Sequence, residues 1–187
     1  MAAQALELSE KHQIPFFVEN ARCFLGMARA ELGRLSEGVA LIRQGIAGLA
    51  AMGTYNDALT VFLAESQALS GAIGEALETI EQVLQPIRPG ANIVRPWALL
   101  LRGELQTKQR RREAAEADFR TTLTLAYSMG AKAYELRAAM SLARLLRDSG
   151  RRDEAHLMLA EIYNWFTEGF DTADLKEAKT LLDELAT

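Results

Sequence analysis

One cysteine, two histidines and four prolines are all the chain offers of those residues. A lone thiol, Cys23, excludes an intrachain disulfide framework and reads as a buried apolar filler. His12 and His156 lie far apart, and neither has a partner at metal-ligand spacing. No GxxxxGK[ST], HExxH or GxSxG occurs, so no catalytic, cofactor-binding or metal-binding residue is assigned. The expectation is a chain that acts by binding and is not an enzyme. No apolar run approaches the ~18 residues that span a bilayer. The start, MAAQALELSEKHQ, lacks a basic segment followed by an apolar core, so no signal peptide is read there. A cytoplasmic location is expected by default. The formal net charge of −4 argues against a broad nucleic-acid footprint, and no membrane partner is expected.

What is present is ordinary for a folded protein: 49% hydrophobic and 25% charged residues. Above that background stands a repeat. A small residue recurs as Gly26, Ala64, Gly103 and Ala143, at intervals of 38, 39 and 40. Seven residues later come Gly33, Gly71, Arg110 and Gly150, the place where a helix end takes a left-handed residue. Further on come Gly38, Ala76, Ala115 and Ala155, then Ile42, Ile80, Phe119 and Leu159, then Gly45, Val83, Thr122 and Ile162. Met52-Gly53 and Met129-Gly130 close the first and third units. The pattern predicts helix hairpins: small residues let two helices approach, and the large apolar residue one turn later fills the groove beside them. A single hairpin cannot bury its apolar face, so units must stack.

In order, Ala2 to His12 reads as a trailing helix without its leading partner, with Ala5, Leu8 and Leu6 on its apolar face. The chain is therefore expected to be a piece of a longer array. Full units follow from about Pro15 to Gly53, Thr54 to Gln85, Asn92 or Pro96 to Gly130, and Ala131 to Thr167. Their turns include Ser70 to Gly74 and the basic Lys108 to Arg112. Pro86 to Asn92 reads as an irregular loop inside one continuous repeat domain, residues 1–187. Trp165, Phe166 and Phe170 are expected to wedge the last unit against a final helix, Ala173 to Leu185, capped by Asp171 or Thr172.

The small-residue, glycine-turn and alanine-plus-large-apolar spacing (Ala76/Ile80, Ala115/Phe119, Ala155/Leu159) resembles the tetratricopeptide repeat, in a form longer than the usual ~34 residues and without the usual closing proline. The resemblance implies an all-α, right-handed superhelical solenoid of antiparallel helix pairs: about four repeats, a leading half repeat and a capping helix. From Tyr134 onward, and most specifically over WFTEGFDTADL (Trp165 to Leu175), the chain is similar to the C-terminal repeats of bacterial proteins that carry a class III nucleotide cyclase or STAND-type ATPase module. That similarity implies a sensory or partner-binding tail.

In tetratricopeptide arrays the leading helices line the binding face. Projecting one stripe from the repeat phase gives Asn20, Met27 and Glu31, then Glu65, then Trp97, Glu104 and Lys108, then Arg137, Met140, Arg144 and Arg147. The stripe is acidic early and basic late, which suits an elongated protein or peptide partner or another domain of the same protein. Exposed Ala5 and Leu8 would instead favour homodimerisation or a scaffold role. A small-molecule sensor pocket in the groove is the third reading.

Overall fold

The computed structural model describes residues 1–85 and 93–186, and the expected loop from Pro86 to Asn92 lies outside them. The chain is all-helical, a tetratricopeptide-like solenoid, with ten helices and no strand among the described residues. It forms two compact units, Met1–Val94 and Arg95–Thr187. The first holds α1 (Ala2–Lys11), α2 (Pro15–Glu31), α3 (Leu35–Ala51), α4 (Asp57–Leu69) and α5 (Ile73–Leu84). The second holds α6 (Arg95–Lys108), α7 (Arg112–Ser128), α8 (Lys132–Arg147), α9 (Arg152–Tyr163) and α10 (Ala173–Ala186).

The turns are built alike. At each leading-to-trailing turn an amide reaches back five residues: Arg34 to the Arg29 carbonyl, Ala72 to Gln67, Arg111 to Gln106 and Arg151 to Leu146, all at 2.9 Å. This closure satisfies the free carbonyls at the helix end and requires a left-handed residue just before the donor. Glycine supplies it at Gly33, Gly71 and Gly150, with φ of 82°, 83° and 78°. Arg110 takes the same conformation at φ 60°. The opposite turns repeat the device through Thr54 to Leu49, Ala131 to Ala126 and Ile14 to Ser9. There Gln13, at φ 52°, stands where later units have Gly53 and Gly130. The Ser70 turn is shorter than expected, because α5 starts at Ile73, with only Ala72 between it and Gly71, and takes Gly74 into its first turn.

All four repeating small residues are buried. Contact between α2 and α3 is closest. A Cβ added at Gly26 would lie 2.7 Å from the Gly38 carbonyl oxygen, and one at Gly45 would lie 2.4 Å from Cys23 Sγ. Ile42, Leu49, Leu59 and Leu63 pack around Cys23 in the first unit. In the second unit Phe119, Leu136, Leu142, Leu146 and Leu159 join the Leu175, Ala178, Leu181 and Leu185 stripe of α10.

Within each unit the leading helices also lie side by side: α2 against α4, α6 against α8, and α8 against α10. α10 therefore takes the position of a leading helix after the fourth repeat, with one buried stripe and its other faces wet. At the other end α1 has no buried residue. Its half-buried contacts come from Ala2, Leu6 and Ser9, while Ala5 and Leu8, expected on the packing face, are exposed. The expected wedge is carried by Phe166, which packs on the core; Trp165 and Phe170 remain exposed. Thr172 donates its hydroxyl to the Gly169 carbonyl, at 2.7 Å.

Candidate functional site: the open face of the leading helices

Part of the projected stripe lies between neighbouring leading helices of the same unit, and part of it is open to solvent. Met27 packs against the cluster holding Leu59 and Leu63 of α4. Glu104 accepts a hydrogen bond from Ser141 of α8 at 3.3 Å. Arg137 and Arg144 reach Asp174 and Glu177 of α10 at 2.7 and 2.6 Å. Arg147 reaches Glu184 at 2.8 Å. Asn20 turns its amide back to the Phe16 carbonyl, at 2.8 Å. Glu65 and Trp97 are half-buried, and Glu31 and Lys108 are exposed at the ends of their helices. Met140 corrects the projection outright: it is 3% exposed and belongs to the core. The physical reason is azimuth. Met140 sits one turn from Arg137 and Arg144 but on the side of α8 that carries Leu136, Ala139 and Ala143 into the core.

Burial pushes the Glu104 carboxyl above its ordinary value; the Ser141 hydrogen bond and the charges of Lys108, Arg144 and Arg137 offset part of this. Its residue surface is open, yet its acid group sits in the crowded seam. The three arginines at the expected basic end are thus already matched by carboxylates of α10, so little net positive field remains there.

One step round, the sequence holds a row that projection missed. In the first unit it comprises Phe17 and Phe24 on α2, meeting the projected stripe at Glu31, with Tyr55, Phe62 and Leu69 at the same repeat positions on and before α4. Phe17 is 56% exposed, Phe24 51%, Tyr55 62% and Leu69 64%, while Phe62 is half-buried. Three exposed aromatics and a leucine in one such row are unusual for a wet face, since large apolar side chains normally go inside. The equivalent second-unit positions Leu101, Tyr134 and Ser141 are buried or half-buried, and Lys108 and Asp148 are polar. The signal was available: Phe24 precedes Gly26 by two residues as Phe62 precedes Ala64.

A second charge cluster joins the trailing helices. Arg120 of α7 bonds Glu116 and Glu154, and Arg151 bonds the same two carboxylates, with distances of 2.7 to 2.9 Å. Burial opposes ionisation of Glu116, but the hydrogen bonds from Arg120 and Arg151 outweigh it and hold this acid below its ordinary value. The Arg120 hydrogen bond does the same for Glu154. Arg151 thus ties helices together. Among the described residues no group of three or more metal-ligating side chains occurs, and no helix is long and apolar enough to cross a membrane.

Hairpins of this geometry, stacked through their leading helices, define a tetratricopeptide-like helical repeat fold. Solved structures agree. TPR-like repeats assigned to a kinesin light chain from Podosopora anserina superpose with a TM-score of 0.69 at 17% identity, over 89% of this chain and 84% of that one. A signal transduction ATPase with numerous domains from Pyrococcus horikoshii, which has a tetratricopeptide repeat sensor, gives 0.78 at 16% identity, over 96% of this chain and 28% of that one. The Rap conjugation gene regulator of plasmid pLS20, in complex with the Phr* peptide, gives 0.64 at 14%, over 95% of this chain and 50% of that one. At these identities the likeness is one of fold. No protein-family model and no curated protein sequence matches the chain.

Proposed function

We propose that the chain is a non-catalytic interaction module whose open face on α2 and α4 receives a peptide segment or a helix with apolar side chains. The observation that carries this reading is the exposed row Phe17, Phe24, Tyr55 and Leu69. Aromatic anchors of this kind dominate binding when a partner desolvates them. The peptide-bound Rap regulator supports a peptide or protein as the partner class. The ATPase with a repeat sensor, together with the Trp165 to Leu175 resemblance, supports a sensory or docking role within a bacterial signalling protein of the cyclase or STAND type. Of the projected residues, Met27, Glu104, Arg137, Arg144 and Arg147 serve here by setting the spacing of the leading helices. Residues 1–187 act as one repeat domain in this reading.

Selection from a displayed peptide library tests it. Sequences with spaced apolar residues should be enriched, and Phe24→Ser should weaken their binding by tenfold or more. No enrichment, or equal binding by the variant, would overturn the reading. A second reading, self-association, is favoured by one observation: α1 has no fully buried residue, and Leu8 on it and Ile14 and Phe16 beyond it are exposed. Light scattering across micromolar concentrations tests that alternative, and a constant monomer mass removes it.

A further inference from the structure

Away from the open face, α7, α8 and α9 enclose an open pocket of about 630 Å³ in the second unit. Its apolar floor includes Leu123, Met158 and Ile162. Two aromatic rings stand at its walls, Tyr127 and Trp165, 72% and 57% exposed. Between them lies a cation. The Lys132 ammonium sits 4.9 Å from the Trp165 ring centre and 5.3 Å from that of Tyr127. Both distances fall within the range where a ring face attracts positive charge. Glu135, only 6% exposed, completes the site: its Oε2 lies 2.6 Å from Lys132 Nζ.

The composition of this pocket selects one class of ligand. Lys132 carries one positive charge, and Glu135 and Glu161 carry two negative ones, so the lining is net acidic. Two aromatic faces, a buried carboxylate and an apolar floor favour an organic cation with an apolar body. They disfavour an anion, which the ring faces and the carboxylates repel, and a bare metal ion, for which the site lacks clustered ligands. The aromatic walls are also hard to explain as packing, because both rings are mostly in water. We propose that this pocket is a binding site for an organic ammonium or guanidinium group, free or borne by a partner side chain, and that Lys132 occupies it as a tethered competitor. Lys132 stands at the start of α8, so its departure to solvent requires only rotation of its own flexible side chain.

Calorimetric titration of the whole chain tests the assignment, with choline as a free cation, an arginine-containing tripeptide amide as a side-chain cation, and 3,3-dimethylbutanol as the neutral isostere of choline. At least one of the two cations should bind, the neutral alcohol should not, and whichever cation binds tighter names the source. Lys132→Ala should tighten cation binding about tenfold, because the resident charge and its two ring contacts are gone. Trp165→Ala should abolish it. Lys132→Ala leaves Glu135 buried without a partner, so Lys132→Ala with Glu135→Gln provides a second background; it should keep the preference for cation over alcohol. Circular dichroism establishes that each variant is folded. Equal heats for cation and alcohol, or no gain on removing Lys132 in either background, would overturn the proposal. Neither result bears on the open face of α2 and α4, which lies in the other unit.

Discussion

Arg110 does a glycine's work. Its φ of 60° is imposed by the same turn that uses Gly33, Gly71 and Gly150. A side chain in that region costs about 1–2 kcal/mol, and glycine removes the strain while loosening the unfolded chain. Arg110→Gly should therefore stabilise the protein by about 0.5–1 kcal/mol, which is roughly 1–4 °C in melting temperature for a chain of this size. Gly45 shows the opposite case. A methyl there would meet Cys23 Sγ at 2.4 Å and the Glu19 carbonyl oxygen at 2.5 Å, and backbone cannot yield cheaply. Gly45→Ala should cost about 2–3 kcal/mol in denaturant unfolding. Gly74→Ala is the matched control, since nothing lies within 4 Å of its added methyl. It should be neutral or stabilising by up to about 1 kcal/mol. Cys23 adds a pH dependence. Burial first, and Glu19 second, push its thiol from 9.0 up to about 11. The folded state holds the proton that the unfolded chain releases. This contribution is full below pH 9.0 and is lost as pH rises from there to about 11. A melting temperature that falls across this window in the wild type, and falls less in Cys23→Ala, is the expected result.

At the scale of elements, α10 is held by two unlike forces. Leu175, Ala178, Leu181 and Leu185 bury its stripe, and Asp174, Glu177 and Glu184 match Arg137, Arg144 and Arg147 of α8. The ion pairs are exposed and each is worth little, so apolar burial carries the attachment. Asp174→Lys with Glu177→Lys should leave α10 helical but speed amide exchange along it, with α6 and α7 unchanged. Equal protection in the variant would mean that the ladder plays no part in docking. The ladder also explains why the arginine end of the projected stripe is not a free basic surface. A 3.6-residue period locates the helix positions that repeat, but polar residues suit a seam and a wet face equally well. Met27 and Arg144 occupy equivalent repeat positions, one packed on leucines and the other on a carboxylate, and neither type announces its neighbour. Phe24 was equally visible, but apolar residues on helices are first assigned to the interior; the packed neighbours put Phe24 outside it, while its repeat mate Phe62 packs half-buried on the core.

For the whole molecule, we propose on the repeat phase that residues 1–187, with their two compact units Met1–Val94 and Arg95–Thr187, act as one domain. Repeat arrays gain stability from contacts between adjacent units, so a single domain should unfold in one transition. Coincident melting by calorimetry and circular dichroism is expected; two separate transitions would divide the chain into independent domains.

The chain's own order of residues determined the hairpins, their number and their turns. Small residues at intervals of 38 to 40 and the left-handed positions at their helix ends are local demands, met by residues close in sequence. Even Arg110 was placed correctly, because the turn's backbone closure leaves one conformation open. Tertiary structure alone decided which side of each leading helix faces a neighbour and which faces water. That choice depends on where the next hairpin lies, a relation between residues about forty positions apart that no local pattern encodes. The aromatic row on α2 and α4 and the matched arginines of α8 follow from that packing.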